Sequence, residues 1–167
     1  MSINILVACE ESQRVCIEFR KLGFNAFSCD IRACSGDHPE WHIQGDVIKV
    51  MQAYDFETMT LERHAIHGWD CMIAFPPCTY LTNTGNRWFN VERYGEKARE
   101  RIAQRIKARE FFMRLYNANI KHIAIENPIG HINTAFRKPD QIIQPYFFGD
   151  PERKSTCLWL KGLPPLT

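Results

Sequence analysis

The chain has 167 residues, of which 45% are hydrophobic and 24% charged, and its formal net charge is +2. These values predict one globular domain over residues 1–167 and exclude an intrinsically disordered or collagen-like chain. No apolar run approaches the roughly 18 residues that a membrane span needs, and the N-terminus lacks a secretory pattern. We therefore expect a cytoplasmic protein without a membrane partner.

The seven cysteines are irregularly spaced, and no Cys-x-x-Cys pair occurs among them. An odd count without such pairs argues against a disulfide framework or a structural zinc site, so we expect no metal. Most of the cysteines are predicted to be small core residues, namely Cys9, Cys16, Cys29, Cys71 and Cys157.

The first half of the chain alternates between strand-like and helix-like segments. Short strands are predicted at 3–8, 25–29 and 42–45. A helix follows the first strand, with Ser12 as its N-cap and Gly23 at its end. Asp30 follows the second strand directly, and Asp46 follows the third, before another element that begins at Val47.

The second half carries the strongest helix and strand signals. Residues 96–117 place apolar side chains at helical spacing, which predicts a long helix. The apolar segments 69–75 and 122–125 predict buried parallel strands, which Pro76-Pro77 and Glu126-Asn127-Pro128 respectively end. Two further strands are predicted at 142–148 and 156–160, and a loop at 87–94.

Alternating strands and helices predict an α/β fold with a doubly wound, mostly parallel sheet and flanking helices. In such sheets, ligands bind just beyond the carboxyl ends of the strands. Polar or reactive side chains fall at those ends, at Glu10, Glu11, Asp30, Cys78 and Glu126. We therefore expect the functional site at this edge of the sheet.

Cys78 directly follows Pro76-Pro77 after a buried strand. The prolines fix φ and stiffen the turn, so the thiol would be held above the sheet edge in a defined direction. A thiolate is a strong nucleophile, which makes this position suitable for covalent catalysis. The alternative is that the prolines merely end the strand and that Cys78 packs beneath the loop.

Glu126 stands at the end of another predicted strand. Partial desolvation there would raise the pKa of its carboxyl, so that it could hold or share a proton near neutral pH. A nucleophilic thiol beside a proton-donating carboxyl suits attack on an electron-poor ring that must be protonated at another atom. The alternative is a surface glutamate that caps the following segment.

Pro77-Cys78 and Glu126-Asn127-Pro128 resemble, in this order along the chain, two motifs of the DNA cytosine-5 methyltransferase family. The resemblance implies a single Rossmann-like class I methyltransferase domain, with S-adenosylmethionine as cofactor and cytosine in DNA as substrate. It also implies that the Cys78 thiolate adds to carbon 6 of the ring while Glu126 binds ring nitrogen 3. Carbon 5 then takes the methyl group, and elimination frees the enzyme.

The same resemblance implies which residues bind the cofactor. Asp30 is similar to the acidic residue that holds the ribose hydroxyls, which a carboxylate can do by accepting two hydrogen bonds. Asp46 resembles the residue that accepts from the adenine amino group. The other residues expected to bind the cofactor are Cys9, Glu10, Glu11, Ser12, Ile31, Val47 and Pro76. For both aspartates the alternative is a loop or N-cap role.

Arg153 and Lys154 precede the last predicted strand. The family has a basic motif before an equivalent strand, and that motif steadies the flipped base. The resemblance therefore implies that one of these two residues assists catalysis. A turn with solvated charges is the alternative interpretation.

The loop 79–90 directly follows Cys78, and we expect it to close over a base that has left the stack. The side chains expected to contact DNA, as a duplex or a single strand, are Thr79, Tyr80, Asn83, Arg87 and Trp88. A surface loop with its aromatic side chains packed into the fold is the alternative. The basic residues of 93–114 predict either phosphate contacts or a solvated helix with interspersed acidic residues.

Two features depart from the family pattern. The loop 8–13 after the first strand contains no glycine, so a differently shaped backbone would meet the cofactor, or the cofactor would not bind. The chain also has no room for a target-recognition region or a closing C-terminal helix, which resembles a minimal, phage-type relative. Phe75 before the two prolines disfavours the amino-methylating DNA enzymes, which use a polar residue at that position.

Three functions therefore stay open. The leading hypothesis is cytosine-5 methylation of DNA in a bacterial or phage-infected cell. The second hypothesis keeps this chemistry but changes the substrate to single-stranded DNA, RNA or a free cytosine nucleotide. The third is a nucleic-acid-binding module without catalytic activity. The sequence predicts neither the target sequence nor the oligomeric state.

Overall fold

A computed structural model describes residues 2–167 of the chain. The strands in chain order are β1 (Asn4–Ala8), β2 (Asn25–Asp30), β3 (His42–Gln44), β4 (Asp55–Glu57), β5 (Arg63–Ala65), β6 (Cys71–Ala74), β7 (His122–Pro128), β8 (Gln141–Ile143) and β9 (Thr156–Lys161). The α-helices are α1 (Arg14–Lys21), α2 (Val47–Val50), α3 (Val91–Tyr94), α4 (Glu96–Tyr116) and α5 (His131–Ala135). Short 3-10 helices cover Pro39–Trp41, Asn83–Phe89 and Pro145–Phe148.

One seven-stranded sheet has the order β3-β2-β1-β6-β7-β9-β8, and β4 pairs with β5 in a separate hairpin. The first five strands of that order pair in parallel, whereas β9 runs antiparallel to both of its neighbours. The predicted α/β fold with a mostly parallel sheet is therefore confirmed, and it is compatible with a Rossmann-like fold. The strand order reverses between β1 and β6, which is where open α/β sheets bind ligands.

The larger hydrophobic core lies between the sheet and α4, the long helix that the periodicity predicts. Phe112 and Leu115 of α4 and Trp159 of β9 are fully buried in it. The rings of Phe112 and Trp159 meet edge to face with centroids 5.2 Å apart, which is a favoured geometry. The Trp159 indole N–H donates to the carbonyl oxygen of Arg137 at 3.0 Å, so the buried ring has a hydrogen-bond partner.

A smaller core lies on the other face of the sheet, where α1 packs against β1 and β2. β1 is buried on both faces, because Leu6 and Ala8 belong to the larger core while Ile5 and Val7 belong to the smaller one. A strand covered on both faces needs apolar side chains at every position, which explains the unbroken apolar run at the start of the sequence.

The start of α1 differs from the prediction that Ser12 caps it. Gln13 occupies the N-cap position with a left-handed φ of 59°, and its side chain makes no capping bond. Instead, the buried carboxylate of Glu10 accepts from the backbone N–H of Val15 at 2.7 Å and of Cys16 at 3.2 Å. The longer glutamate side chain reaches across the loop to N–H groups that the first helical turn leaves free, where negative charge is favoured.

Two other segment predictions are wrong. Residues 87–94 are not a loop but belong to a 3-10 helix and to α3, whose first turn Asn90 caps by accepting from the Arg93 N–H at 2.9 Å. The segment 142–148 forms a strand only at its beginning, because Pro145 has no N–H for the ladder and starts a 3-10 helix.

All seven cysteines are free. Cys16, Cys29 and Cys157 are buried in the two cores, and Cys9 and Cys71 pack against them, which confirms their predicted packing role. Burial raises the pKa of both Cys9 and Cys16 to about 12, so these thiols stay neutral. Among residues 2–167, no group of His, Cys, Asp and Glu side chains could hold a metal ion, and no helix is long and apolar enough to cross a membrane.

We expect Glu10→Ala to lower the free energy of unfolding by about 1–2 kcal/mol, because two backbone N–H groups of α1 lose their acceptor. Urea denaturation at pH 7 measures this change. Glu11→Ala is the matched control, since it removes the same charge from a neighbouring side chain that accepts neither bond. Equal losses of stability in the two variants would contradict the capping role.

Candidate active site

A cavity of about 560 Å³ lies beyond the carboxyl ends of the parallel strands, where the strand order reverses. Its wall includes the predicted cofactor residues Cys9, Glu11, Asp30, Ile31, Asp46 and Val47. Phe75, Pro77 and Tyr80 and the α4 side chains Gln104, Lys107 and Phe111 also line it. Its size falls within the range of small-molecule sites, roughly 300–1,000 Å³.

Glu10, Ser12 and Pro76 were also predicted to bind the cofactor, but they do not line this cavity. The Glu10 carboxylate is bound to the N-terminus of α1, where it is shielded from solvent. Pro76 is buried, and its exposed neighbour Pro77 forms the wall instead. The structure therefore does not bring these three side chains to the cavity.

The two aspartates each use one carboxylate oxygen within the fold. Asp30 Oδ1 accepts from the Arg32 N–H at 2.9 Å, and Asp46 Oδ1 accepts from the Ile48 N–H, also at 2.9 Å, at the start of α2. These bonds correspond to the loop and N-cap roles that the sequence left open. In each case Oδ2 forms no hydrogen bond with any of residues 2–167, so each aspartate can still accept from a ligand hydroxyl or amine.

The glycine-free loop after β1 makes a tight turn by other means. Cys9 and Gln13 both adopt left-handed backbone conformations, with φ of 61° and 59°, which glycine would adopt without strain. The buried Gln13 side chain is bound on both ends, since its Nε2 donates to the His38 carbonyl at 2.8 Å and its Oε1 accepts from the His38 N–H at 3.1 Å. Such contacts stabilise a conformation that would otherwise be strained.

Cys78 lies on the surface in the turn that follows β6. Its carbonyl oxygen accepts from the N–H groups of Leu81 at 2.8 Å and Thr82 at 3.0 Å, so the chain turns sharply after it. Pro76 before it is buried, whereas Pro77 and Cys78 are exposed. The thiol is therefore accessible and does not pack beneath the loop, which was the alternative interpretation.

Glu126 and the Cys78 turn lie at the ends of adjacent strands. β6 and β7 pair in parallel up to Ala74 and Ile125, so Glu126 follows the last pair directly. The fully buried amide of Asn127 donates to the carbonyl oxygen of Pro76 at 2.9 Å. This hydrogen bond joins the segment that carries the carboxyl to the segment that carries the thiol.

The Glu126 carboxyl is half-buried and forms no hydrogen bond with any group of residues 2–167. Burial raises its pKa above the ordinary value of 4.5, and the positive charge of Lys154 partly opposes that rise. Lys154 comes close because β9 pairs antiparallel with β7, from Thr156 opposite Pro128. Lys154 and its neighbour Arg153 are both exposed, so of the two predicted cations it is Lys154 whose charge acts on the carboxyl.

A second contact between the two segments involves Gly130, which the sequence reasoning did not single out. The His131 N–H donates to the Leu81 carbonyl at 2.7 Å, and Gly130 forms an isolated bridge with Thr82. A Cβ atom at Gly130 would lie 2.0 Å from the Leu81 carbonyl oxygen. Only glycine allows the two backbones to approach this closely. In the sequence, the one indication of this contact is a glycine four residues after Glu126.

Arg105 of α4 holds the loop 79–90 in place, which helical periodicity did not predict. Its Nε donates to the Tyr80 carbonyl at 2.8 Å, and its Nη2 donates to Asn86 Oδ1 at 2.7 Å. Its guanidinium lies 3.4 Å from the centroid of the Phe89 ring. Some of the basic side chains of α4 therefore organise the loop rather than lying free in solvent.

The predicted nucleic-acid contacts lie on the outer side of this loop. Thr79, Asn83, Arg87 and Trp88 are exposed, and Tyr80 is half-buried. Tyr80 packs partly into the fold, as the alternative interpretation predicts. Trp88 keeps 40% of its surface exposed and is accessible to a partner.

No family model matches the chain. A search of curated proteins likewise found none of significant similarity. Any functional assignment therefore rests on the chemistry of this site and on the resemblance of its short motifs.

We expect Gly130→Ala to destabilise the protein by about 1–3 kcal/mol, because the added methyl group cannot fit against the Leu81 carbonyl. The midpoint of urea denaturation measures the loss. Gly45→Ala is a matched control for stability, since a methyl group there meets no atom within 4 Å. A Gly130→Ala protein as stable as the Gly45→Ala protein would show that the segments do not need this close approach.

We expect Glu126→Gln to raise the melting temperature at pH 7 by about 2–4 °C, since it removes a partly desolvated charge that costs about 1 kcal/mol. A carboxyl whose pKa is raised on folding contributes most to stability below its unfolded pKa, and that contribution is lost as the pH rises through its folded pKa. The advantage of the variant should therefore disappear below about pH 4.

Thermal melts of both proteins between pH 3.5 and 8 test this expectation. Glu152→Gln, which removes the same charge from the exposed turn before β9, controls for general charge effects. A difference between Glu126→Gln and the wild type that does not change with pH would contradict the raised pKa.

Proposed function

We propose that this protein is a methyltransferase that transfers the methyl group of S-adenosylmethionine to carbon 5 of cytosine in DNA. The observation that carries the proposal is the pairing of an exposed thiol, Cys78, with a half-buried carboxyl, Glu126, at adjacent strand ends. The hydrogen bond from Asn127 to Pro76 joins the two segments. A pure binding module needs no such pair, whereas covalent attack on cytosine needs a nucleophile and a proton donor.

The sheet supports the proposal at the level of the fold. Its parallel strands follow the order of a doubly wound nucleotide-binding sheet, and the antiparallel β9 lies between β7 and β8. Such a sheet is compatible with the Rossmann-like domain that the proposal requires.

The cavity beside Cys78 fits the proposed cofactor in size and in the chemistry of its wall. Asp30 would accept from the ribose hydroxyls, and Asp46 from the adenine amino group, each through the oxygen that its backbone bond leaves free. Cys9, in a left-handed conformation, and Glu11 line the same wall, where they would contact the methionine part of the cofactor. When bound, the cofactor supplies an electrophilic methyl group.

In the proposed reaction, Cys78 and Glu126 would act in the following order of steps. The Cys78 thiolate forms a bond to carbon 6 of cytosine while Glu126 gives its proton to ring nitrogen 3. The electron pair of the carbon 5–carbon 6 double bond would move to carbon 5, which would accept the methyl group that bound S-adenosylmethionine supplies, with S-adenosylhomocysteine as the leaving group. Carbon 5 then loses its proton to solvent, the double bond reforms, the carbon–sulfur bond breaks, and the nitrogen 3 proton returns to Glu126.

The surroundings of Glu126 suit this reversible transfer. Burial favours the protonated carboxyl, whereas the positive charge of Lys154 favours the carboxylate that forms after transfer. The net effect is a pKa above the ordinary value, which makes the carboxyl a better proton acceptor when the proton returns from nitrogen 3. Arg153, in the same exposed turn, is a second cation available to steady the flipped base.

The inactive module is less well supported than the proposal, whereas the alternative substrates share its chemistry. The inactive module was favoured by the glycine-free loop, but Cys9 and Gln13 make the tight turn without glycine. The same chemistry on RNA or on a free nucleotide uses the same thiol and carboxyl, so the site alone does not favour it over DNA.

We expect Cys78→Ala to reduce methyl transfer from labelled S-adenosylmethionine to DNA at least ~1,000-fold, because the covalent adduct cannot form. Nucleoside analysis of the wild-type product should give 5-methyldeoxycytidine. Cys71→Ala removes a thiol from the start of β6, the strand that leads to the Cys78 turn, and this matched control should stay active. A fully active Cys78→Ala protein, or methylation at another atom, would contradict the proposal.

Cofactor binding separates the proposed chemistry from a loss of folding. Calorimetry with S-adenosylmethionine should give the same affinity for Cys78→Ala as for the wild type, since the thiol is not needed to hold the cofactor. Wild-type protein that binds no S-adenosylmethionine at millimolar concentration would argue for the inactive module instead.

A further inference from the structure

A second groove, of about 960 Å³, adjoins the cavity and has no part in the proposed reaction. It lies between the 3-10 helix Asn83–Phe89, α3 and the first half of α4. We call this concavity the Trp88 groove. Its aromatic and cationic side chains are Tyr80, Arg87, Trp88, Tyr94, Lys97 and Arg101. Tyr80 and Gln104 line both the groove and the cavity, so the two are neighbours.

Aromatic rings make one part of the Trp88 groove. The Trp88 side chain keeps 40% of its surface exposed, and its ring centroid lies 5.1 Å from that of Tyr94. A large exposed aromatic ring at the wall of a concave surface offers a face on which a planar group can stack. Nucleic-acid bases are planar, and stacking on such rings is sequence-tolerant.

Cationic side chains make the other part. The Arg87 guanidinium lies 4.7 Å from the Trp88 ring, and that of Arg101 lies 5.2 Å from the Tyr80 ring. No carboxylate among residues 2–167 forms an ion pair with Arg87, Lys97 or Arg101, although Glu100 lines the same wall. Arg87 and Lys97 are exposed, whereas Arg101 is half-buried. The charges of Arg87 and Lys97 are therefore the ones most available to phosphate groups.

The Trp88 groove is also preformed. Arg105 binds the Tyr80 carbonyl and Asn86 Oδ1 from behind, and the Thr82 side chain accepts from the Thr84 N–H. A loop held in this way loses little conformational freedom when a ligand binds, so more of the contact energy appears as affinity.

We infer that the Trp88 groove binds single-stranded DNA, taking the unpaired nucleotides beside the target cytosine. This rests on the proposed function for the identity of the nucleic acid. Bases in a duplex are stacked on one another, so they cannot stack on Trp88, whereas bases in a single strand can. The Trp88 groove has a volume of about 960 Å³, which favours contact with a few nucleotides over contact with a long duplex.

Fluorescence anisotropy with a labelled single-stranded oligonucleotide that contains no cytosine tests the inference without cofactor or catalysis. Trp88→Ala should weaken binding about 5-fold or more, and Trp88→Phe should retain most of the affinity because it keeps a ring. Arg87→Ala should lower the slope of log affinity against log salt by about 0.7. Arg99→Ala is the matched control on α4, since Arg99 pairs with Glu96 and lies outside the groove.

Three outcomes would overturn the inference: unchanged affinity in Trp88→Ala, tighter binding of a duplex of the same sequence, or tighter binding of the equivalent RNA. Failure of the groove and failure of the proposed function give different results. If the wild type methylates DNA and Trp88→Ala binds the single strand with unchanged affinity, the proposed function is supported and the role of the Trp88 groove is contradicted. If single-strand binding depends on the Trp88 ring but no methyl transfer occurs, the role of the Trp88 groove is supported and the proposed function is contradicted.

Discussion

Asn127 donates from its buried amide to the carbonyl oxygen of Pro76, and this contact crosses from β7 to the turn after β6. Both groups are shielded from water, so breaking the bond would leave a buried polar group unpaired, at a cost of about 1–3 kcal/mol. Pro76 is the first residue of the Pro-Pro turn, and the stiffness of that turn transmits its position to Cys78. This hydrogen bond therefore helps to set the position of the turn that carries the thiol relative to the strand that carries Glu126.

The contact at Gly130 reinforces the same relationship farther along the chain. There the backbone of residues 81–82 contacts the backbone of 130–131, three to four residues after Cys78 and Asn127 respectively. Arg105 then holds the rest of the loop against α4. The thiol, the carboxyl and the groove beside them are thus parts of one connected structure, in which each segment is bound at more than one place.

The sequence alone predicts the sheet, and the sheet edge at which the candidate site lies, because both follow from local patterns. Unbroken apolar runs identify the buried strands, and the polar residues that end them must lie at one edge of a parallel sheet. Asp30 and Asp46 reach the cavity for this reason. The long amphipathic run from Glu96 to Tyr116 identifies α4 in the same way.

The supporting contacts could not be predicted, because they join residues that are distant in sequence. Asn127 meets Pro76 across 51 positions, and Arg105 meets Tyr80 across 25. Spacing rules consider apolar side chains, so an arginine that folds inward looks the same as one in solvent. Likewise, the left-handed backbone at Gln13 is stabilised by side-chain hydrogen bonds to His38, 25 positions away, which override the ordinary preference for glycine.

The antiparallel direction of β9 determines where the chain can accept an insertion. The connection 144–155 between β8 and β9 returns the chain to the same edge as Glu126, and its Tyr146, Phe147 and Phe148 side chains are exposed. Its two ends are anchored in paired strands, so residues added between them leave every strand register unchanged. This fold can therefore gain a second lobe at the sheet edge that carries Glu126 through one insertion, without any change to the sheet.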